Sequence, residues 1–165
     1  MPNYCTNILT VSASSKEELD SLLELVKGDD RPLSLNAIVP IPEEEKENWY
    51  NWSIENWGTK WDAGEIDDEF ERLSDEEAKI CFSTAWSPPA PAIKELSAQF
   101  PQAIITLFYY ESGMDFCGEV VYSNAEVIDN QEFTMTSEEG KDFVAKACLS
   151  LSSANDWIDK EGEKE

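Results

Sequence analysis

The chain has 165 residues, with 35 acidic side chains against 12 basic ones and a formal net charge of −23. This charge disfavours direct binding to nucleic acid or to an anionic membrane, because phosphate contacts require lysine and arginine. Hydrophobic residues make up 41% of the chain, enough for a globular core, and no apolar run approaches the roughly 20 residues of a membrane span. The N-terminal segment lacks the pattern of a secretory signal, so we expect a cytoplasmic protein.

The first half of the chain predicts a strand, a helix and a second strand before an unusual insertion. Residues 4–13 are rich in β-branched side chains and predict the first strand. Ser14 or Ser15 is expected to cap the helix that follows, in which leucines recur at helical spacing up to a glycine. The segment "LSLNAIVPIP", residues 33–42, predicts a second strand that closes on two prolines. In the acidic, tryptophan-rich insertion over residues 43–77 we expect one or two short helices.

The second half of the chain predicts three further strands, a fourth extended piece and two helices. "AKICFSTAW" predicts a strand, and the prolines of "SPPAP" begin a helix for which Ser87 is a natural cap. The side chains expected to share one face of that strand are Ile80, Phe82, Thr84 and Trp86. "AIITLFYYE" and "DFCGEVVYS" predict a hairpin, and "AEVIDNQEF" predicts a further extended piece. The apolar side chains of a last helix, over residues 137–150, are Phe143, Val144, Ala147 and Leu151.

This order of elements predicts a single α+β domain over residues 1–155. Its architecture is expected to be ferredoxin-like: an antiparallel sheet with two helices on one face, the acidic insertion, an added hairpin strand and a C-terminal helix. Residues 156–165 predict a charged tail. The expected core consists of Leu19, Leu22, Val26, Ile80, Phe82, Ile93, Leu96, Phe100, Leu107 and Val121.

The four cysteines lie far apart in the sequence, and the chain contains no histidine. A zinc site would need all four thiolates to converge from distant segments, and a disulfide framework is not expected in a cytosolic chain of this size. We therefore expect four reduced, buried thiols, no metal and no cofactor. The cysteines are Cys5, Cys81, Cys117 and Cys148.

Five pieces of the sequence resemble a known family. They are "MPNYCTNILTV", "IVPIP", "NWGTKWDA", "FSTAWSPP" and "LFYYESGMDFCGE", in this order over residues 1–119. Together they resemble the YubB-like family of small proteins encoded by phages, prophages and conjugative plasmids. The resemblance implies a ferredoxin-like fold and a place on a mobile genetic element inside a bacterial host, and it implies no particular activity.

The segment "NWGTKWDA", residues 56–63, admits two interpretations. In the first, its tryptophans anchor the charged insertion on the sheet, polar side chains satisfy turn amides, and Gly58 adopts a positive φ. In the second, the tryptophans form a cage for a cation or a platform for a ring, oriented by Lys60 and Asp62. We favour the first interpretation and keep the second as an alternative small-molecule or nucleotide site. The residues of that alternative are Trp49, Trp52, Asn56, Trp57, Gly58, Lys60, Trp61, Asp62 and Trp86.

The sequence contains no recognisable catalytic motif. Without histidine, a serine or cysteine nucleophile lacks its usual base, and no glycine-rich phosphate loop is present. We therefore expect a protein that is not an enzyme and name no catalytic residue. Acid–base work by a pair of carboxylates stays open, with Asp62, Glu65, Glu111 and Asp115 among the candidates.

The acidic charge is concentrated in the insertion, where 14 acidic and 3 basic residues give −11 over residues 43–77. Carboxylates at helical spacing lie about 5–6 Å apart and begin to imitate a nucleic-acid backbone, although a merely solvated surface is the other explanation. The hypothesis is a non-enzymatic accessory protein that binds a basic, nucleic-acid-binding protein of the host or of a rival element. The residues of this acidic surface are Glu43, Glu44, Glu45, Glu47, Glu65, Asp67, Asp68, Glu69 and Glu71.

Overall fold

The structure, a computed structural model, describes residues 3–149. It describes the side chains of all of these except Glu65 and residues 147–149. The strands are β1 Tyr4–Ser12, β2 Gly64–Glu65, β3 Glu71–Arg72, β4 Glu77–Ala85, β5 Ile104–Glu111, β6 Phe116–Ser123 and β7 Glu126–Thr134. The helices are α1 Lys16–Val26, α2 Leu35–Ile38, a 3-10 helix Glu43–Asn48, α3 Trp49–Asn56, α4 Ala90–Gln99 and α5 Glu138–Leu149. The predicted domain end at residue 155 and the charged tail lie outside the described residues.

The strands form one antiparallel sheet in the order β2-β4-β1-β5-β6-β7, with β3 also paired to β4. β4 and β5, which α4 connects, flank β1 on its two sides. This interleaving is the split β-α-β arrangement of a ferredoxin-like fold, and β6 and β7 extend the sheet beyond it. The predicted fold class is therefore confirmed. No helix within residues 3–149 is long and apolar enough to cross a bilayer.

The main core lies between α1, α4 and one face of the sheet. The predicted core residues that are buried are Leu19, Leu22, Val26, Ile80, Phe82, Ile93, Leu96 and Leu107. Phe100 is partly buried against this cluster. The prediction is wrong for Val121, which is only half-buried, because it pairs with Thr106 on the opposite face of the sheet. Val120, the partner of Leu107, occupies the core position instead.

The second face of the sheet is covered at one end by α5. Phe143 and Val144 of this helix pack against a smaller buried cluster that includes Ile8 and Phe108. The predicted C-terminal helix and its contacts through Phe143 and Val144 are thus confirmed. The side chains of Ala147 and Leu151 lie outside the described residues.

The predicted second strand over residues 33–42 is wrong, since the segment forms the short helix α2. The Ser34 hydroxyl accepts the Ala37 N–H and the Asp62 carboxylate accepts the Leu35 N–H, so side chains hold backbone groups that a strand would have paired. The insertion supplies the missing strand, because β2 and β3 line the outer edge of β4. The insertion also forms the predicted short helices, the 3-10 helix and α3.

Two expectations at the start of α4 are also wrong. Pro89 occupies the N-cap position, and the Ser87 hydroxyl donates to the Gly58 carbonyl rather than capping the helix. Trp86 follows the end of β4 with φ of +67° and therefore does not continue the face of Phe82. The turn that leads the chain toward the prolines rotates the Trp86 ring out of the strand pattern. At α1, by contrast, the expected cap is confirmed, because Ser15 accepts the Glu18 N–H.

Candidate functional site

Trp57 is an anchor of the acidic insertion. Its side chain is 3% exposed, and its indole N–H donates to the Val39 carbonyl at 2.9 Å. Trp52 packs edge-to-face on it with 5.5 Å between the ring centroids. The Asn56 side-chain amide donates to the Trp52 carbonyl at 2.9 Å and closes the end of α3. These contacts join the helix of the insertion to the main core.

The turn after Trp57 is clamped against β4 and α4. Gly58 has φ of +84°, and a Cβ at this position would lie 2.5 Å from Cδ of Pro91. The buried Thr59 hydroxyl donates to the Ala85 carbonyl and accepts the Ala85 N–H, each at 3.0 Å. Sequence reasoning missed Thr59, because a threonine in a turn carries no signal that it completes the end of a distant strand.

Asp62 holds the segment around α2. Its carboxylate accepts the Ser34 hydroxyl at 2.8 Å and the Asn36 N–H at 3.3 Å, in addition to the Leu35 N–H. The same carboxylate accepts the Ala63 N–H at 2.7 Å. A carboxylate oxygen offers about two acceptor sites, so four donors use most of the capacity of this side chain. Asp62 thereby positions two loops relative to each other.

Lys60 fills an aromatic cage built by the chain itself. Its Nζ lies 5.1 Å from the ring centroid of Trp61, 5.2 Å from that of Trp86 and 5.5 Å from that of Tyr50. These distances are within the range of cation–π attraction. The Trp86 backbone N–H donates to the Asn3 carbonyl, which fixes the turn that presents this ring. The cation that the sequence suggested for such a cage is therefore available within the same motif.

An exposed aromatic patch lies beside this cage. We define it as Trp49, Tyr50, Ile54 and Trp86, whose exposed fractions are 42%, 43%, 40% and 37%. Tyr50 and Ile54 are four residues apart on α3 and so share a face, and Trp49 contacts Tyr50 edge-to-face with 5.9 Å between centroids. Lys60 links Tyr50 to Trp86. Sequence reasoning missed Tyr50 and Ile54, although their helical spacing to each other was a usable signal.

The predicted acidic residues fall on two different segments. Glu43, Glu44 and Glu47 are exposed on the 3-10 helix, with Glu45 half-buried there, and this helix runs directly into α3 and the aromatic patch. Asp68 and Glu69 are exposed in the loop between β2 and β3. That loop is not helical, so the row of carboxylates expected from helical spacing does not form in it.

Two of the predicted acidic residues contact β4, whereas Glu43 forms only an exposed ion pair with Lys46 within the 3-10 helix. The Asp67 carboxylate accepts the Cys81 N–H at 2.8 Å and so fastens the loop to the edge of β4. The Glu71 carboxylate lies 3.6 Å from Nζ of Lys79, a lysine that is almost fully buried. Removal of Glu71 would leave that buried charge without this partner. A variant designed to change only surface charge must therefore spare both residues.

An open cavity of about 650 Å³ is lined in part by Trp61 and Asp62. The residues that line it include Tyr4, Asp30, Arg31 and Trp61. Nη1 of Arg31 donates to the Ala63 carbonyl at 2.7 Å, and its Nε contacts Asp30 at 3.0 Å. The hydrogen bond and charge of Arg31 lower the pKa of Asp30, so this acid is ionised throughout the physiological range. Of the residues in the alternative ligand site, Trp61 and Asp62 line this cavity.

The remaining carboxylate candidates have separate surroundings. Glu111 is buried and its Oε1 accepts the Gly113 N–H at 2.8 Å, whereas its Oε2 has no hydrogen-bond partner among the described residues. Asp115 accepts the Thr136 N–H at 2.9 Å and the Thr136 hydroxyl at 2.8 Å. Glu111 also lies near the Cys5 thiol. Burial and, to a smaller extent, the charge of Glu111 raise the pKa of Cys5 to about 12, although a hydrogen bond with Thr84 acts in the opposite direction.

This raised pKa leaves Cys5 as a thiol at neutral pH, which is the inert form of cysteine. Cys81 and Cys117 are also buried thiols. The side chain of Cys148 lies outside the described residues, so the prediction of four reduced cysteines stays a prediction. Among the described side chains, no group of three or more potential ligands could hold a metal ion.

Comparisons with known proteins support the fold and give no activity. A family described as the ferredoxin-like domain in Api92-like protein matches residues 56–149, more than half of the chain. The crystal structure of the protein Api92 from Yersinia pseudotuberculosis is similar, with a TM-score of 0.54 and 21% sequence identity over 60% of this chain. The match covers 39% of the Api92 chain, so the present chain corresponds to less than half of that protein. No curated protein matches the chain.

Proposed function

Because the chain belongs to the family of ferredoxin-like domains in Api92-like proteins, and because a fold alone assigns no activity, we propose a function from its surface. The protein acts as a non-enzymatic binding protein. It engages another protein through the aromatic patch together with the exposed glutamates of the adjoining 3-10 helix.

One observation carries this proposal: three large apolar side chains are exposed directly after an acidic helix, and Lys60 joins them to a fourth exposed ring, that of Trp86. Tryptophan and tyrosine are enriched at the centres of protein interfaces, where they bury much area at a small entropic cost. A rim of charged residues around such a centre gives orientation and a fast encounter. The aromatic patch would form the centre, and Glu43, Glu44 and Glu47 would form the rim.

The partner that fits this surface is a basic protein. A net charge of −23 attracts lysine- and arginine-rich surfaces and repels acidic ones. Proteins that bind nucleic acid present such surfaces in their grooves, and carboxylates can occupy the places of phosphates there. We propose that the target is a nucleic-acid-binding protein, such as a nuclease or defence effector, and that the chain acts as an inhibitor that mimics DNA. The YubB-like resemblance favours a chain encoded by a phage or plasmid that acts in the host cytoplasm.

The test is affinity capture from bacterial lysate with charge variants of the protein. Reversal of Glu43, Glu44 and Glu47 to lysine should abolish capture of basic proteins while the thermal melt stays nearly unchanged, because exposed substitutions have small effects on stability. A matched control reverses Glu24, Asp29 and Glu95, which are exposed on α1, on the loop after α1 and on α4. Capture should decrease with salt for the wild type and for this control.

Two outcomes would contradict the proposal. If both triple variants lose capture to the same degree, the attraction is a property of the total charge and not of this surface. If capture survives reversal of the three glutamates, the 3-10 helix is not part of the interface. A further variant, Tyr50→Ala, tests the aromatic patch without changing the charge, and it should weaken capture at high salt as strongly as at low salt.

The cavity beside Trp61 supports a second candidate function. A volume of about 650 Å³ is within the range of small-molecule sites, and Tyr4 and Trp61 suit a planar ligand such as a nucleotide. Its phosphate would have to bind Arg31 beside the carboxylates of Asp30 and Asp62, which also line the cavity. Titration with adenosine monophosphate, followed by amide shifts in NMR, tests this possibility. Shifts confined to the surroundings of Tyr4, Arg31 and Trp61, and lost in Trp61→Ala, would support it. Their absence at millimolar nucleotide would exclude this ligand.

A further inference from the structure

β7 is the end strand of the described sheet, and no strand within residues 3–149 pairs with its outer side. Eight of its nine residues pair with β6 on one side, Ile128 lies in a bulge, and the first seven residues are exposed on both faces of the strand. Val127 and Ile128 are 52% and 54% exposed. A strand of this length at a sheet edge presents a row of backbone donors and acceptors to any extended chain that approaches it.

One backbone group shows which way this row points. The Asn130 N–H donates to Oδ1 of its own neighbour Asp129 at 3.0 Å. Because the Met135 N–H donates to the Asp115 carbonyl, the alternation of an antiparallel ladder places Asn130, opposite Val120, at a position whose N–H faces away from β6. A carboxylate therefore satisfies a donor that faces away from the sheet. In a ladder this position would be filled by the carbonyl of a further strand, for which the Asp129 carboxylate is a replaceable substitute.

We propose that the outer edge of β7 binds an extended, basic peptide segment of another protein as an additional strand of the sheet. Main-chain hydrogen bonds along the edge supply the affinity in this mode of recognition, and alternate side chains supply the specificity. Val127 and Ile128 provide apolar contacts beside the added strand. This surface is separate from the aromatic patch, so the inference does not depend on the function proposed above.

The charges along the edge select the chemistry of the partner. β7 carries Glu126, Asp129 and Glu132 at steps of three residues. Glu119 of the neighbouring strand adds a further acid, and its pKa is raised by burial and by the charge of Asp129. Lysine or arginine side chains on an added strand would offset this repulsion, whereas acidic side chains would increase it.

The same charges disfavour a second copy of this chain as the occupant. β7 carries three acidic residues and no basic one, and a second copy would bring the same net charge of −23 to the edge. Like charges directly opposite each other across a strand pair are destabilising. The charge of the edge therefore favours a basic chain over a second copy, as charged residues at sheet edges commonly do.

The test uses two synthetic peptides of strand length, one alternating lysine with valine and the other alternating glutamate with valine. We expect the lysine peptide to bind the full chain and to slow hydrogen exchange at the outward amides of β7, beginning with Asn130. Asn130→Pro removes the outward donor and should weaken binding about fivefold or more, the value of about one hydrogen bond. Asn130→Ala keeps the donor and serves as the matched control. Proline is tolerated at edge strands, and a thermal melt checks that the fold persists.

A second variant keeps the test decisive if the proline disturbs β7. Asp129→Lys should weaken binding of the lysine peptide and strengthen binding of the glutamate peptide. The inference is overturned if neither peptide protects β7, if the two peptides bind equally well, or if protection occurs elsewhere on the chain and is unaffected by these substitutions. Protection of β7 that rises with protein concentration in the absence of peptide would also overturn it, because the occupant would then be a second copy.

Discussion

The insertion over residues 43–77 uses its aromatic side chains in two different ways. Trp52 and Trp57 turn inward, where a hydrogen bond and an edge-to-face contact fix them to the core. Trp49 and Tyr50, only a few residues earlier, turn outward and join an exposed patch. The same residue type, in one short segment, thus serves as an anchor in one place and as a potential contact surface in the other. The difference lies in the neighbours available to each ring and not in the ring itself.

The largest effect expected from this comparison concerns Trp57. Trp57→Ala should lower the free energy of unfolding by about 3 kcal/mol or more, because a buried aromatic ring is lost and a cavity forms. Trp49→Ala, as the matched exposed change, should alter it by less than about 0.5 kcal/mol. Denaturation by urea, followed by circular dichroism, measures both. Equal losses in the two variants would show that the outward ring is also part of the core.

A second expected effect distinguishes an acidic residue of the insertion that stabilises the fold, Asp62, from one that is only exposed, Asp68. Asp62→Ala removes the acceptor of three backbone N–H groups and of the Ser34 hydroxyl, and should cost about 2 kcal/mol of unfolding free energy. Asp68→Ala removes an exposed carboxylate and should cost almost nothing. The two melting temperatures, recorded under the same conditions, make the comparison. If the Asp62 variant melts with the wild type, the contacts between its loop and α2 do not stabilise the fold.

A third expected effect concerns the clamp at the end of β4. Thr59→Val retains the shape of the side chain but leaves the Ala85 N–H and carbonyl without their hydroxyl partner. The loss should be about 1.5 kcal/mol, as for buried backbone groups that lose a hydrogen bond. Thr59→Ser retains the hydroxyl and should recover most of the stability in a chemical denaturation experiment. Identical losses for valine and serine would assign the effect to packing alone.

The fold could be predicted from the sequence wherever a segment has a clear period. The spacing of the leucines in α1 fits only a helix, and the alternating apolar residues of β4 and β5 fit only strands. The structure confirms all three elements. Residues 33–42 failed because Leu33 and Leu35 suit both a strand and the start of a helix. The choice between the two depends on Asp62, which lies far away in the sequence and accepts the Leu35 N–H at the start of α2.

The candidate site could be predicted only in part, for a related reason. The composition of the insertion marked it as unusual, and the alternatives of anchor and cage both followed from its tryptophans. Which ring turns inward depends on long-range contacts, such as that of the Trp57 indole with the Val39 carbonyl. The same holds for the acids, since nothing local distinguishes Asp67, which holds a strand edge, from Asp68, which faces solvent.

The smallest expected effect concerns Lys60, which lies between the two regions. Lys60→Met keeps the length and apolar character of the side chain but removes the charge that three rings surround. Cation–π contacts at partly exposed sites contribute about 0.5–1 kcal/mol, so the loss of stability should be of this size. Lys60→Arg retains a cation and should lose less than the methionine variant does. Chemical denaturation of the three proteins at low salt measures the difference.

The result for Lys60 also decides to which region the cage belongs. The rings of Tyr50 and Trp86 are exposed and gain only the cation–π attraction from the lysine, whereas Trp57 is held by burial and a hydrogen bond. A small loss in Lys60→Met, recovered by arginine, would assign the cage to the outer surface, where a lysine from a partner could compete for the same rings. A loss as large as that of Trp57→Ala would instead make Lys60 part of the anchor, because only a packing role could account for several kilocalories. In that case Tyr50 would have to be counted with the inward aromatic residues that anchor the insertion.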